Sequence, residues 1–184
     1  MADLSTIKTQ LLEKHRAQKI PASVGAGVYA FFLAEANVID GLSVEPPGLI
    51  YLGMTDTSLE KRNHFHHAHS GFSSLRRSLG ALLKEPLRLR AIPRAPGQSP
   101  SNTRNYRFRD EDELRLTDWM KSHLTYGFAN VEVAANMVEK ELIATLQPPL
   151  NLKGWPNPQR RHLLALRAVC KDEAFAARFL DHQE

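Results

Sequence analysis

The 184-residue sequence contains one cysteine, Cys170, so no disulfide can close within the chain and no cysteine-based zinc site can be assembled. This suits a reducing, cytoplasmic setting. No apolar run approaches the roughly 18 residues needed to cross a bilayer. The opening MADLSTIKTQLLEKHRAQKI also lacks the uninterrupted apolar core of a signal peptide. The expectation is an intracellular, soluble protein with no membrane partner. Internal repeats are absent too, which excludes solenoids and propellers. Hydrophobic residues at 42% and charged residues at 24% exclude collagen-like and fully disordered classes. The length suits a single domain over residues 1–184.

Charge is unevenly spread. The net charge is only +4, yet residues 60–109 carry eleven Lys/Arg against two Asp/Glu, while residues 1–59 carry four against six and residues 110–184 nine against twelve. A basic block of this kind suits a polyanion, through phosphate contacts and counterion release. A solvated basic face accounts for it equally well until other features are weighed.

Hydrophobic periodicity outlines the elements. Leu4, Ile7, Leu11 and Leu12 sit at helical spacing and predict an amphipathic helix over 4–19. GVYAFFL, reaching Leu33, and LIYLG at 49–53 read as two adjacent antiparallel strands, joined across Asn37, Asp40 and Gly41. A helix is predicted over 58–69, stopped by Gly71, and another over 73–84, ended by Pro86. The stretch 93–103 is rich in Pro, Ser and Gly and reads as a loop. DEDE at 110–113 opens a helix whose first-turn acids complement its dipole. A third strand is expected over Phe128 to Val133, then a helix over 136–146 and one or two helices over 158–182. The fold class is α+β: a small antiparallel three-stranded sheet flanked by helices, with extra N- and C-terminal helices.

Five pieces carry chemistry in a telling order: GVY at 27–29, YLG at 51–53, Arg62 with His66 four residues later, Glu139 within a helix, and Asn151 twelve residues beyond it. Together they resemble the GIY-YIG nuclease superfamily over residues 25–152. Residues 1–24 then form an N-terminal helix and 153–184 a C-terminal helical extension. The 21 residues between the two tripeptides are more than the short hairpin usual for that family, so an insertion in the hairpin loop is expected.

The residue types fit phosphodiester hydrolysis. Hydroxide must form near neutral pH, and charge must be neutralised as the phosphate becomes pentacoordinate. Glu139 is the candidate ligand for Mg2+ (Mn2+ as a substitute), because Mg2+ keeps several waters and needs few protein ligands. Glu141 is its nearby rival, and the spacing to Asn151 favours Glu139. Arg62 offers a planar, permanently charged fork for phosphate oxygens. The resemblance implies Tyr29 or Tyr51 as general base, with His66 sharing the proton. Tyr29 is favoured, leaving Tyr51 to orient water or phosphate. Gly27, Gly53 and Asn151 are supporting residues, Asn151 fixing the loop after the catalytic helix by side-chain hydrogen bonds.

Lys61, Arg76, Arg77, Arg104 and Arg107 are the candidate DNA-binding residues, on double-stranded DNA. Tyr106 and Phe108, interleaved with arginines, either stack on bases or pack into the core. His64, His67 and His69 read as DNA-facing or solvated, since a zinc site wants three or four protein ligands. The functional expectation is a metal-dependent DNA endonuclease, dimeric if it cuts both strands. The alternative is a catalytically weak DNA-binding module that retains the nuclease fold.

Overall fold

The structure, a computed structural model, describes residues 3–16, 25–59, 64–65, 69–94, 105–131 and 134–180. In chain order the elements are α1 (Leu4–Leu12), β1 (His15–Arg16), β2 (Gly27–Leu33), β3 (Leu49–Thr55), a 3-10 turn (Ser70–Phe72), α2 (Ser74–Leu82), β4 (Ala91–Pro93), β5 (Tyr106–Phe108), α3 (Asp110–His123), β6 (Leu124–Asn130), α4 (Ala135–Leu146) and α5 (Arg160–Leu180). They fall into two compact units, residues 1–65 with 120–159, and residues 66–119 with 160–184.

The first unit is built on an antiparallel sheet in the order β1-β6-β2-β3, in which β1 is only two residues long. All seven residues of β2 are buried, as expected of a central strand covered on both faces. Side chains alternate across a strand, and the two faces differ in kind. Val28, Ala30 and Phe32, with Leu52 and Ala129, pack on Ile7 and Leu11 of α1 and on Ala135, Leu142 and Ile143 of α4. The opposite face is aromatic: Phe31 stands edge-on to Tyr126 and Phe65, with ring centroids 5.2 and 5.3 Å apart.

The third long strand starts earlier than its apolar pattern suggested, at Leu124 rather than Phe128. Pairing with β2 along its whole length, from Leu33 against Leu124 to Gly27 against Asn130, sets that start. Likewise α1 ends at Leu12, not at residue 19, because His15 and Arg16 pair with β6. The long β2–β3 connection buries Ile39 and Leu42 and carries a cis Pro46–Pro47 bond. With α1 and α4 it lines a cavity of about 820 Å3 that includes Leu11, Phe32, Pro47, Leu146 and Trp155.

The second unit holds a short antiparallel pair of β4 and β5, which flank the stretch expected as a loop over 93–103 and meet it only at Pro93. Its strands alternate inward and outward, burying Tyr106 and Phe108 completely. That places both rings in the core rather than on a stacking surface. Both α2 and β4 pack on α5. Ser73 caps α2 by accepting a hydrogen bond from the Arg76 amide at 3.1 Å.

At its centre lies the Glu113 carboxylate. One oxygen accepts from the amides of Ser70 (2.6 Å) and Phe108 (3.1 Å), the other from the Ser70 hydroxyl (3.0 Å) and the Arg76 guanidinium (2.8 Å). A buried charge is tolerable only when paired and hydrogen-bonded in this way. No helix among the described residues is long and apolar enough to cross a membrane.

Three buried acids hold their protons unusually firmly. Burial pushes the Cys170 thiol up to about 11 and raises the phenols of Tyr106 and Tyr126 well above their ordinary range. The unfolded chain surrenders these protons first as pH climbs, so the stability tied to them is complete below about pH 9 and is lost above it. Melting temperature should therefore hold steady from pH 7 to about 9 and fall progressively toward pH 11. Replacing Cys170 by Ala should flatten the part of that fall between about 9 and 11. A melting temperature independent of pH across this window would contradict the assignment.

Candidate active site

GVY occupies the start of β2 and YLG the middle of β3, and the register sets Tyr29 opposite Gly53 and Phe31 opposite Tyr51. Tyr29 and Tyr51 thus share the aromatic face on adjacent strands, with ring centroids 6.4 Å apart. The absent side chain of Gly53 makes room for this arrangement. A Cβ there would lie 2.4 Å from both Cζ and Oη of Tyr29, so the phenol rests directly over the glycine. Gly27 is held for a comparable reason, since a Cβ would come within 2.4 Å of the Ala129 carbonyl oxygen.

Tyr29 is 3% exposed, and a buried phenol needs a hydrogen-bond partner. It finds one in His64: Tyr29 Oη and His64 Nε2 are 2.8 Å apart, the phenol donating when the ring proton sits on Nδ1. The imidazole is itself 2% exposed, 5.4 Å from the Tyr29 ring centroid and 6.3 Å from that of Tyr51. His64 is therefore neither solvated nor free to face a ligand from the surface, which corrects its reading from sequence. Tyr126 of β6 completes the surround, stacked on Tyr29 at 6.0 Å with 22° between the planes.

Asn151 holds the edge of this sheet. β3 is an outer strand, and its exposed edge would leave backbone groups without partners. The Asn151 side chain imitates a strand residue: Oδ1 accepts from the Leu52 amide and Nδ2 donates to the Leu52 carbonyl, both at 2.8 Å. The Leu150 amide adds a bond to the Ile50 carbonyl at 2.9 Å. The segment following α4 is thereby clipped between the residues that flank Tyr51 and Gly53. Glu139 lies half-buried on α4, one turn from the buried Ala135 and Ile143.

Lys61, Arg62, His66, His67 and Arg104 lie outside the described residues, as does most of the helix expected over 58–69. His64 and Phe65 within that span form a turn. Among the remaining basic candidates, Arg76 is corrected. It is fully buried and its guanidinium is committed to the Glu113 carboxylate and carbonyl, so it offers nothing to a phosphate. Arg77 is half-buried and donates to the Gly71 carbonyl at 3.3 Å. Arg107 is half-buried and paired with Asp110.

A buried phenol–imidazole pair beside a second strand tyrosine is a proton-handling arrangement, and the strands that carry it spell the paired tripeptides. Compared with known families, the chain matches the GIY-YIG catalytic domain over residues 27–169, and it belongs to that family. The match extends past residue 152 into α5. Membership implies nuclease activity and a nucleic-acid substrate. No curated protein is matched, and no solved structure is matched either.

Gly53→Ala should push the Tyr29 ring off its seat, lowering stability by about 1–3 kcal/mol and moving the tyrosine ultraviolet and near-ultraviolet dichroism signals. Arg76→Ala should lower stability by about 3–5 kcal/mol by stranding the Glu113 carboxylate, measured by denaturant unfolding. A stable Arg76→Ala protein with merely weaker nucleic-acid binding would restore Arg76 to the surface role.

Proposed function

We propose that the protein is a metal-dependent endonuclease that hydrolyses phosphodiester bonds in double-stranded DNA, acting in the cytoplasm. The observation that carries this reading is the 2.8 Å hydrogen bond joining Tyr29 to the buried His64. In it, a phenol already has an acceptor for its proton, so transfer to His64 Nε2 leaves a phenolate able to take a proton from water. The hydroxide so formed attacks phosphorus as the bond to the leaving oxygen breaks. Tyr51 orients the water or the phosphate. Arg62 neutralises the oxygens of the pentacoordinate phosphate through its planar fork.

Glu139 is the residue to hold the metal. One half-buried carboxylate fits a hard ion that retains most of its waters. When bound, Mg2+ would neutralise charge on the phosphate and the leaving oxygen. His64 takes the tyrosine proton in this scheme, while His66, which the resemblance implies in that part, lies outside the described residues.

Supercoiled plasmid with Mg2+ should yield nicked or linear product, and Glu139→Ala should abolish cleavage while leaving the dichroism spectrum intact. Tyr29→Phe and His64→Ala should each cost about 100- to 10,000-fold in rate, and the double variant little more than either alone, because the two act as a unit. DNA binding without turnover in any divalent metal would favour the binding-module alternative. Undiminished cleavage by Tyr29→Phe would sink the base assignment.

A further inference from the structure

The second unit displays a side chain that its packing does not use. Phe72, at the end of the 3-10 turn, is 67% exposed. An isolated exposed hydrophobic residue is ordinary, but this one is held within a built cluster. The Arg94 guanidinium lies 4.6 Å from the centroid of its ring, and the His69 ring stands 5.7 Å away at 54°.

The turn beneath is tied down on every side. His69 Nδ1 accepts from the Gly71 amide at 3.2 Å, and the Gly71 carbonyl accepts from Arg77 at 3.3 Å and Arg94 at 3.2 Å. Ser70 is anchored through its amide and hydroxyl to the buried Glu113 carboxylate. Gly71 has to be glycine for the cluster to form: a Cβ would stand 2.6 Å from Cγ and 3.0 Å from Cδ of Arg94, blocking the stem where it crosses the turn.

A rigid, exposed aromatic face flanked by an arginine and an imidazole is suited to a flat, electron-rich ring system attached to an anionic chain. Nucleobases stack on such platforms whatever their identity, while neighbouring cations meet the backbone phosphates. The strongly basic composition of residues 60–109, within which the whole platform lies, supplies the matching charge. We propose that His69, Phe72 and Arg94 form a platform on which an unpaired base of a DNA strand stacks. This deepens the nuclease reading and rests on it: the substrate duplex presents an unstacked or unpaired nucleotide to this turn. A fully paired duplex, whose bases are already stacked, has little to offer Phe72.

The test is fluorescence anisotropy of the full chain with a labelled single-stranded DNA oligonucleotide and with the blunt duplex of the same sequence, in EDTA so that nothing is cut. Phe72→Ala should weaken single-strand binding about tenfold, leave duplex binding within about twofold because no phosphate contact is removed, and keep its melting temperature. Phe72→Trp should bind the single strand at least as tightly as the parent. Phe72→Leu, apolar but without a π face, should behave as Phe72→Ala. Parent-like single-strand binding by Phe72→Ala or Phe72→Leu, or equal losses on both probes, would overturn the platform. Should the parent cut plasmid and bind both probes while Phe72→Ala is indistinguishable from it, the platform alone falls. Should the parent neither bind nor cut, the nuclease reading falls with it.

Discussion

A strand covered on both faces must sort its side chains by parity, and the arrangement of the first unit follows from how β2 does so. Its even residues, Val28, Ala30 and Phe32, are wholly apolar and meet two helices. Its odd residues, Tyr29 and Phe31, join an aromatic wall. A phenol placed in such a wall loses water, and the loss must be offset by a hydrogen bond inside the protein. His64 supplies it. The same burial that stabilises the sheet therefore forces a proton donor and a proton acceptor together, so core and candidate chemistry are one construction. A one-residue slip of β2 would send Tyr29 into the aliphatic face and dissolve both at once.

The neighbouring strand is bound by a complementary requirement. Tyr29 lies flat over β3 only because position 53 has no Cβ, and β3 keeps its place at the sheet edge because Asn151 satisfies the Leu52 backbone. The glycine of YLG and the distant asparagine thus serve the same ring from two sides. In the second unit the Glu113 network plays the equivalent part, converting four donors on three segments into one buried anchor. Breaking one member of such a network strands the others.

Much of the fold was legible because strand parity and helical period are local properties. β2, β3, α2 and α4 fall close to their expected bounds, and the antiparallel pairing of GVY with YLG matches the two-strand reading. What eluded the pattern depended on distant partners. The end of α1 is decided by pairing of His15 and Arg16 with β6, and the start of β6 by its match to β2. The β4–β5 hairpin is three residues on each side, too short for alternation to stand out from a Pro- and Ser-rich surround. Arg76 looked like its neighbour Arg77 in the sequence. Only the carboxylate of Glu113, 37 residues away, separates a core ion pair from a surface charge.

The run of histidines shows how one buried ring draws its neighbour inward. His66, the histidine that the resemblance implies, lies outside the described residues, as does Arg62. His64 and Phe65 form a turn, and both rings enter the aromatic wall, Phe65 against Phe31 and His64 against Tyr29. A signal was present all the same. Phe65 is the only apolar aromatic in the run KRNHFHHAH, so it was the residue certain to seek the core. Adjacent side chains in a turn need not point in opposite directions as they do in a strand, and the histidine beside the buried phenylalanine follows it inward. There it meets the one buried hydroxyl of β2, whose need for a partner it satisfies.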